Sequence, residues 1–215
     1  MSTASRHRSI QFSCFRRSGV AALLALHAVM AMAQSGAPRA ELPTFKVGDR
    51  WKFEQTDRRT GIKESEHDLQ VTSVSPAQIE GNENGEKFSW SPDLTPSESA
   101  VSTFPEPPKL FSFPLEVGKK WDYKSSWVNK KNTGKGRQQM EVIVVGYEKV
   151  KVPAGEFDAY KIETKGFWNN DANRRNGSMK VIRWYAPAAR ASVRIEYDDG
   201  YNNWVRQLVE MQLQP

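Results

Sequence analysis

The nine residues from Phe45 to Phe53 (Phe-Lys-Val-Gly-Asp-Arg-Trp-Lys-Phe) return from Leu115 to Tyr123 as Leu-Glu-Val-Gly-Lys-Lys-Trp-Asp-Tyr, with Val, Gly and Trp in register. A chain that carries one segment twice is constrained to build two related units. The match runs on past its signature, because Asp68 to Val74, alternating through Leu69 and Val71, aligns with Gln139 to Val145, alternating through Met140, Val142 and Val144. Period-two alternation of this kind marks half-buried β-strands. In the second copy Val142-Ile143-Val144-Val145 is apolar at every position, the pattern expected of a strand covered on both faces.

Turn chemistry divides the rest of the chain into hairpins. Gly81-Asn82-Glu83-Asn84-Gly85 separates Ala77 to Glu80 from Lys87 to Trp90, and Asp198-Asp199-Gly200 separates Val193 to Tyr197 from Trp204 to Leu213. Val152 to Phe157 breaks one strand and starts another, since Pro153 removes a ladder donor and Gly155 accepts a positive φ. The Asn-rich stretch from Asn169 to Gly177 joins Ala159 to Trp168 with Ser178 to Ala186. Tyr160 and Ile162 oppose Lys161, Glu163 and Lys165, and Val193, Ile195 and Tyr197 oppose Arg194 and Glu196. Each strand thus has a core face and a charged face, and pairing of the two strands would set basic residues opposite acidic ones. Pro92 to Pro114 contains six of the 12 prolines and reads as a stiff connector. No segment after Gln34 sustains a helical period.

The N-terminus reads as a secretory signal. Arg6, Arg8, Arg16 and Arg17 precede an apolar run from Gly19 to Ala33, and Ala31-Met32-Ala33 has the small-x-small form of a cleavage site. This segment holds four of the 31 basic residues and none of the 25 acidic ones, so the formal charge of the mature chain falls from +6 to +2. Much of the basicity is targeting chemistry, and nucleic acid is not an expected partner. The apolar run is shorter than the roughly 20 residues that span a bilayer, and no transmembrane segment is expected in the mature chain. Cys14, His7 and His27 also lie in the signal, which leaves His67 as the sole histidine and no thiol. That count excludes Cys/His zinc sites and cysteine catalysis. His67, flanked by Glu66 and Asp68 without a Gly-x-Ser-x-Gly elbow anywhere, is expected to be an ordinary exposed residue.

Seven tryptophans are the most suggestive side chains. Trp51 and Trp121 hold equivalent positions in the two copies, and Trp90 and Trp184 each close a hairpin near a proline, so duplication assigns these four to packing. Trp127, Trp168 and Trp204 are unmatched and fall near loops, which makes them the candidate ligand-binding residues. No catalytic residue, metal ligand or cofactor site is assigned. The Asp and Asn residues at 169–173 and 198–203 lack the spacing of a calcium loop and are common turn formers.

The elements Val152-Pro153-Ala154-Gly155-Glu156-Phe157, Trp184-Tyr185-Ala186-Pro187 and Val193-Arg194-Ile195-Glu196 together resemble a family of exported Gram-negative proteins classed as a domain of unknown function. The resemblance covers mainly Phe113 to Leu213 and implies a periplasmic β-sheet protein. It carries over no catalytic residue. The glycine often found soon after Trp-Tyr-x-Pro is replaced here by Ala188-Ala189-Arg190-Ala191, which leaves the geometry of that turn open.

These readings converge on an all-β protein with antiparallel sheets from two sequence-related units, barrel-like or half-barrel. The expected organisation is a signal peptide (1–33), a linker (34–42), a first β unit (43–91), the Pro-rich connector (92–114) and a second β unit (115–215). The leading function is non-catalytic binding of a hydrophobic or lipid-like envelope component, in the periplasm or outside the cell after signal cleavage. The alternatives are a structural or protein-interaction module of the envelope, working through sheet edges or the connector, and a hydrolase using paired carboxylates such as Glu196 with a facing acid.

Overall fold

A computed structural model describes residues 37–215, which form one compact unit. The expected signal peptide and the first residues of the linker lie outside the described residues. Twelve strands follow in sequence: β1 (Arg50–Asp57), β2 (Lys63–Val74), β3 (Ile79–Glu83), β4 (Glu86–Trp90), β5 (Pro96–Glu98), β6 (Ser102–Glu106), β7 (Lys120–Asn129), β8 (Lys135–Val152), β9 (Gly155–Asn170), β10 (Arg175–Ala186), β11 (Ala191–Asp198) and β12 (Asn203–Gln212). Each pairs antiparallel with its neighbour, and β12 returns to β1, from Arg50 opposite Gln212 to Asp57 opposite Trp204. The sheet is therefore a closed barrel. Closure pairs every strand on both sides and leaves no edge for another chain to extend, which removes the sheet edges on which an interaction module would rely.

The Pro-rich span expected to connect two sheets instead supplies β5 and β6 and so completes the barrel wall. Pro96 opens β5, where a missing donor is tolerated, and a single residue pair, Glu98 with Thr103, joins β5 to β6. The proline spacing reads as a linker because these ladders are too short to show a period.

The duplicated turns make the same bonds. Gly48 N–H donates to Val71 O at 2.9 Å and Val71 N–H to Asp49 O; Gly118 N–H donates to Val144 O at 2.8 Å and Val144 N–H to Lys119 O. Both glycines have left-handed φ, 94° and 89°, which explains their place in the signature. Val71 thus corresponds to Val144 and not to Val142, a two-residue shift that preserves the face. The tryptophans diverge: Trp51 is buried and donates its indole N–H to Ala189 O at 2.8 Å, whereas Trp121 is half-exposed and donates to Lys109 O. Trp90 and Trp184 do not share a role either. Trp90 stacks on Phe88 inside, and Trp184 lies on the outer face beneath Lys161 and Arg194.

Three further expectations change for physical reasons. Val142 to Val145 is not covered on both faces: the pairing of β8 with β9 shifts between Val144 and Gly146, so the apolar run marks a bulge. β9 and β11 are not neighbours, because β10 lies between them. The turn after β3 is only Asn84-Gly85, both with positive φ, and β3 therefore continues through Gly81 and Glu83. The outer face keeps its expected charges at Lys161, Glu163, Lys165, Arg194 and Glu196, unlike the apolar band of a membrane-spanning barrel.

One end of the barrel is closed. Phe45, Phe111 and Leu115 are buried there, Ala40 bridges Leu115, and Asp49 ties three segments together. Its carboxylate, fully buried, accepts from Lys46 N–H at 3.0 Å, Gln214 N–H at 2.7 Å and Arg190 Nη1 at 2.7 Å. Arg190 occupies the turn that lacks its glycine and adopts left-handed angles, φ 54° and ψ 21°. The side chain that makes this backbone unfavourable is the one that neutralises Asp49.

Candidate functional site

Inward residues of a barrel alternate along every strand, and here the alternation leaves the interior open. An outer lobe of about 680 Å³ lies towards the hairpin end, and an inner lobe of about 310 Å³ extends towards the closed end. Pro96, Phe104, Leu110, Arg183, Ile195 and Arg206 line both, so the two lobes adjoin at a waist formed by these side chains. The outer volume lies within the roughly 300–1,000 Å³ typical of small-molecule sites.

All three candidate tryptophans line the outer lobe. Trp127 comes from β7 and lies over Gly136 of β8, where a Cβ would stand 2.8 Å from the indole and 2.1 Å from Asn169 O. Trp168 ends β9, donates its N–H to Asp199 O at 3.2 Å and meets Tyr201 edge-on. Trp204 opens β12 and stacks on Tyr197, with ring centroids 4.8 Å apart and planes within 4°, while the Arg206 guanidinium lies over its ring. Asn170, Asn173 and Asn202 add polar groups at the mouth. The inner lobe is mostly apolar by contrast, walled by Phe45, Trp51, Phe53, Trp90, Leu94 and Phe111, with Glu83 and Arg190 as charged members beside the two waist arginines.

Ionisable groups cluster at and beside the waist. Arg206 donates to Gln55 Oε1 at 2.9 Å and lies 4.0 Å from Glu83 Oε1. Glu83 meets His67 Nδ1 at 2.7 Å, and Ser65 Oγ lies 2.9 Å from His67 Nε2. Burial alone would raise the Glu83 carboxyl, but the hydrogen bond from His67 and the charge of Arg206 bring it below the usual carboxylate range. Burial lowers the Arg206 and Arg183 guanidinium values from their ordinary one, against the opposing pull of Glu83 on Arg206 and of Tyr123 and Tyr197 on Arg183. His67, expected to be exposed, is thus a half-buried member of a network, because β2 turns Ser65, His67 and Leu69 towards the interior. The Ser65–His67–Glu83 order is that of a nucleophile relay, and of the three Glu83 is the one that lines a lobe of the interior.

Glu196, the candidate named for a hydrolytic pair, is paired with arginines instead. Glu196 is held by Arg194 at 2.7 Å and Arg58 at 3.3 Å on the outer face. Asp199, in the outer lobe, accepts from the N–H groups of Tyr201 and Asn202, the Asn202 amide and the Tyr197 hydroxyl. It is a turn former saturated by its own loop. No group of three or more potential metal-ligating His, Cys, Asp or Glu side chains occurs among the described residues.

Arg183, Arg206 and Glu83 carry the chemistry of the waist, and none was a candidate from sequence. Two signals were available. Arg183 is a cation between Val181 and Tyr185 on an inward face of β10, and the Asn84-Gly85 dipeptide implies a two-residue turn that brings Glu83 into β3 on the same face as Ile79.

No family model and no curated protein sequence matches this chain. Solved structures do. A "putative lipoprotein" from Parabacteroides distasonis superposes with a TM-score of 0.57 at 16% identity, covering 82% of this chain and 100% of the other. A "putative exported protein with YmcC-like fold" from Bacteroides fragilis gives 0.54 at 16% identity, covering 80% and 99%. At such identities the likeness concerns backbone architecture alone. The chain is an all-β closed barrel with the YmcC-like fold.

Proposed function

We propose that this protein is a non-catalytic carrier or receptor of the cell envelope, which holds a hydrophobic or lipid-like molecule in its barrel interior. The observation that carries this reading is a pair of adjoining interior lobes, the inner mostly apolar and the outer lined by aromatic and amide side chains. Apolar walls with a few convergent polar groups are the usual form of a small-molecule site. Trp127, Trp168 and Trp204 are its ligand-contacting residues, positioned at the outer lobe.

A periplasmic location after signal cleavage is supported by the Arg-rich, apolar N-terminus and agrees with the exported and lipoprotein descriptions of the two fold neighbours. The Val152–Phe157, Trp184–Pro187 and Val193–Glu196 elements likewise support membership of the exported Gram-negative family they resemble. Native mass spectrometry of protein purified from periplasm tests the binding reading. A bound small molecule released on denaturation is expected, and consistently empty protein that also takes up no added amphiphile would refute it.

A further inference from the structure

We infer that Arg183 is an anion-binding residue, and that the occupant of the barrel is an amphiphile with an oxyanion, carboxylate or phosphate, seated at the waist. This rests on the reading that the interior binds a lipid-like molecule and adds the chemistry of its head.

The first observation is an unmatched charge. Arg183 projects from the middle of β10 into the waist and lines both lobes, so what exposure it has is to the cavity. Among the described residues it makes no ion pair and no side-chain hydrogen bond. The other half-buried arginines are matched: Arg50 by Asp68, Arg190 by Asp49, Arg194 by Glu196, and Arg206 by Gln55 and Glu83. Tyr123 and Tyr197 are the ionisable neighbours that act on Arg183, and both are neutral phenols held so by burial. Asp199, the remaining carboxylate of the outer lobe, is saturated by four donors. The half-buried Arg183 guanidinium faces the cavity, and the planar fork of an arginine suits a carboxylate or phosphate bidentately.

The second observation is the order of surfaces along the interior. Phe45, Trp51, Trp90, Leu94 and Phe111 offer an apolar end on one side of Arg183, and Trp168, Trp204, Asn170 and Asn173 offer a polar, aromatic mouth on the other. A free anion would leave the apolar lobe unused, and a neutral hydrocarbon would leave the charge unmatched. An anionic amphiphile satisfies both at once. Arg206, close enough to feel the charge of Arg183, adds a second positive group near the waist, with Glu83 4.0 Å away.

The test uses mature protein titrated by calorimetry with probes of one tail: dodecanoate, dodecyl phosphate, dodecanol and dodecyltrimethylammonium, with inorganic phosphate as the tail-free control. The two anionic amphiphiles should bind at least about tenfold more tightly than the neutral and cationic ones, the scale of a charge-assisted pair. Inorganic phosphate should bind far more weakly than dodecyl phosphate. Arg183→Met, which replaces a half-buried charge with an apolar chain and is expected to fold, should abolish the preference for the anionic probes over dodecanol. Arg183→Lys should retain part of it. Equal binding of dodecanol and dodecanoate, or a preference that survives in Arg183→Met, would overturn the inference and leave the cavity reading intact. Binding of inorganic phosphate as tight as dodecyl phosphate would overturn the amphiphile. Failure of every tailed probe would overturn the underlying binding reading itself.

Discussion

Arg190→Gly should destabilise the barrel even though glycine suits that backbone better. The residue sits at φ 54° and ψ 21°, and for a non-glycine residue these left-handed angles are unfavourable by roughly 1–2 kcal/mol. Glycine would relieve that strain, but it would also enlarge the conformational freedom of the unfolded chain by roughly 0.4–1 kcal/mol. The backbone change alone therefore favours glycine by about 0.5–1 kcal/mol. Against it stands the loss of the Arg190–Asp49 pair, in which the Asp49 side chain is 0% exposed and that of Arg190 is 22% exposed. Removing one partner of a fully buried pair costs about 3–5 kcal/mol; partial exposure of Arg190 and the two backbone donors that remain on Asp49 put it at the low end, about 3 kcal/mol, which leaves a net loss of about 2 kcal/mol. With a urea dependence of about 2 kcal/mol per molar, the unfolding midpoint should fall by about 1 M. Adding Asp49→Asn to this variant removes the stranded charge and should recover about half of the loss. Urea denaturation followed by tryptophan fluorescence reads both. An Arg190→Gly midpoint equal to or above that of wild type would refute the reasoning and assign the turn to backbone preference alone.

Gly136→Ala should destabilise by about 1–3 kcal/mol, the range of overpacking, because its Cβ would meet Asn169 O and the Trp127 ring; thermal melting and a shifted Trp127 emission would register it. Trp51→Phe should lose about 1–3 kcal/mol by leaving the buried Ala189 carbonyl without its donor, again visible in urea midpoints. Glu83 has a depressed folded value, so its contribution is present above the ordinary glutamate pKa of about 4.3 and is lost as the pH falls through the lower folded one. The stability gap between wild type and Glu83→Gln should therefore narrow below about pH 4; a gap that widens as the pH falls from about 4 would contradict the assignment.

The barrel was legible wherever local chemistry and tertiary role agree. Alternation in β9 and β11 identified their inner faces, and the Val-Gly turns at 47–48 and 117–118 were visible because left-handed glycines repeat with their tryptophans. β5 and β6 were hidden, since a three-residue strand opened by proline has too few positions to show a period. Closure was equally illegible, because pairing of β1 with β12 joins residues from opposite ends of the chain and leaves no mark on neighbouring positions. The candidate tryptophans were placed in one cavity because residues at the hairpin ends of β7, β9 and β12 converge at one end of a barrel. Arg183 escaped notice for a different reason. A cation on a strand's apolar face looks like an irregularity until the strand is known to curve around an open interior.

The most direct measurement is a crystal structure of protein purified from periplasm without delipidation. An elongated molecule should run from the Phe45, Trp90 and Phe111 end past the Arg183 guanidinium towards Trp168 and Trp204, with an oxyanion within hydrogen-bonding distance of Arg183. A barrel whose waist is closed by collapsed side chains of Phe104, Leu110 and Ile195, with Arg183 paired to a carboxylate of its own chain, would contradict it.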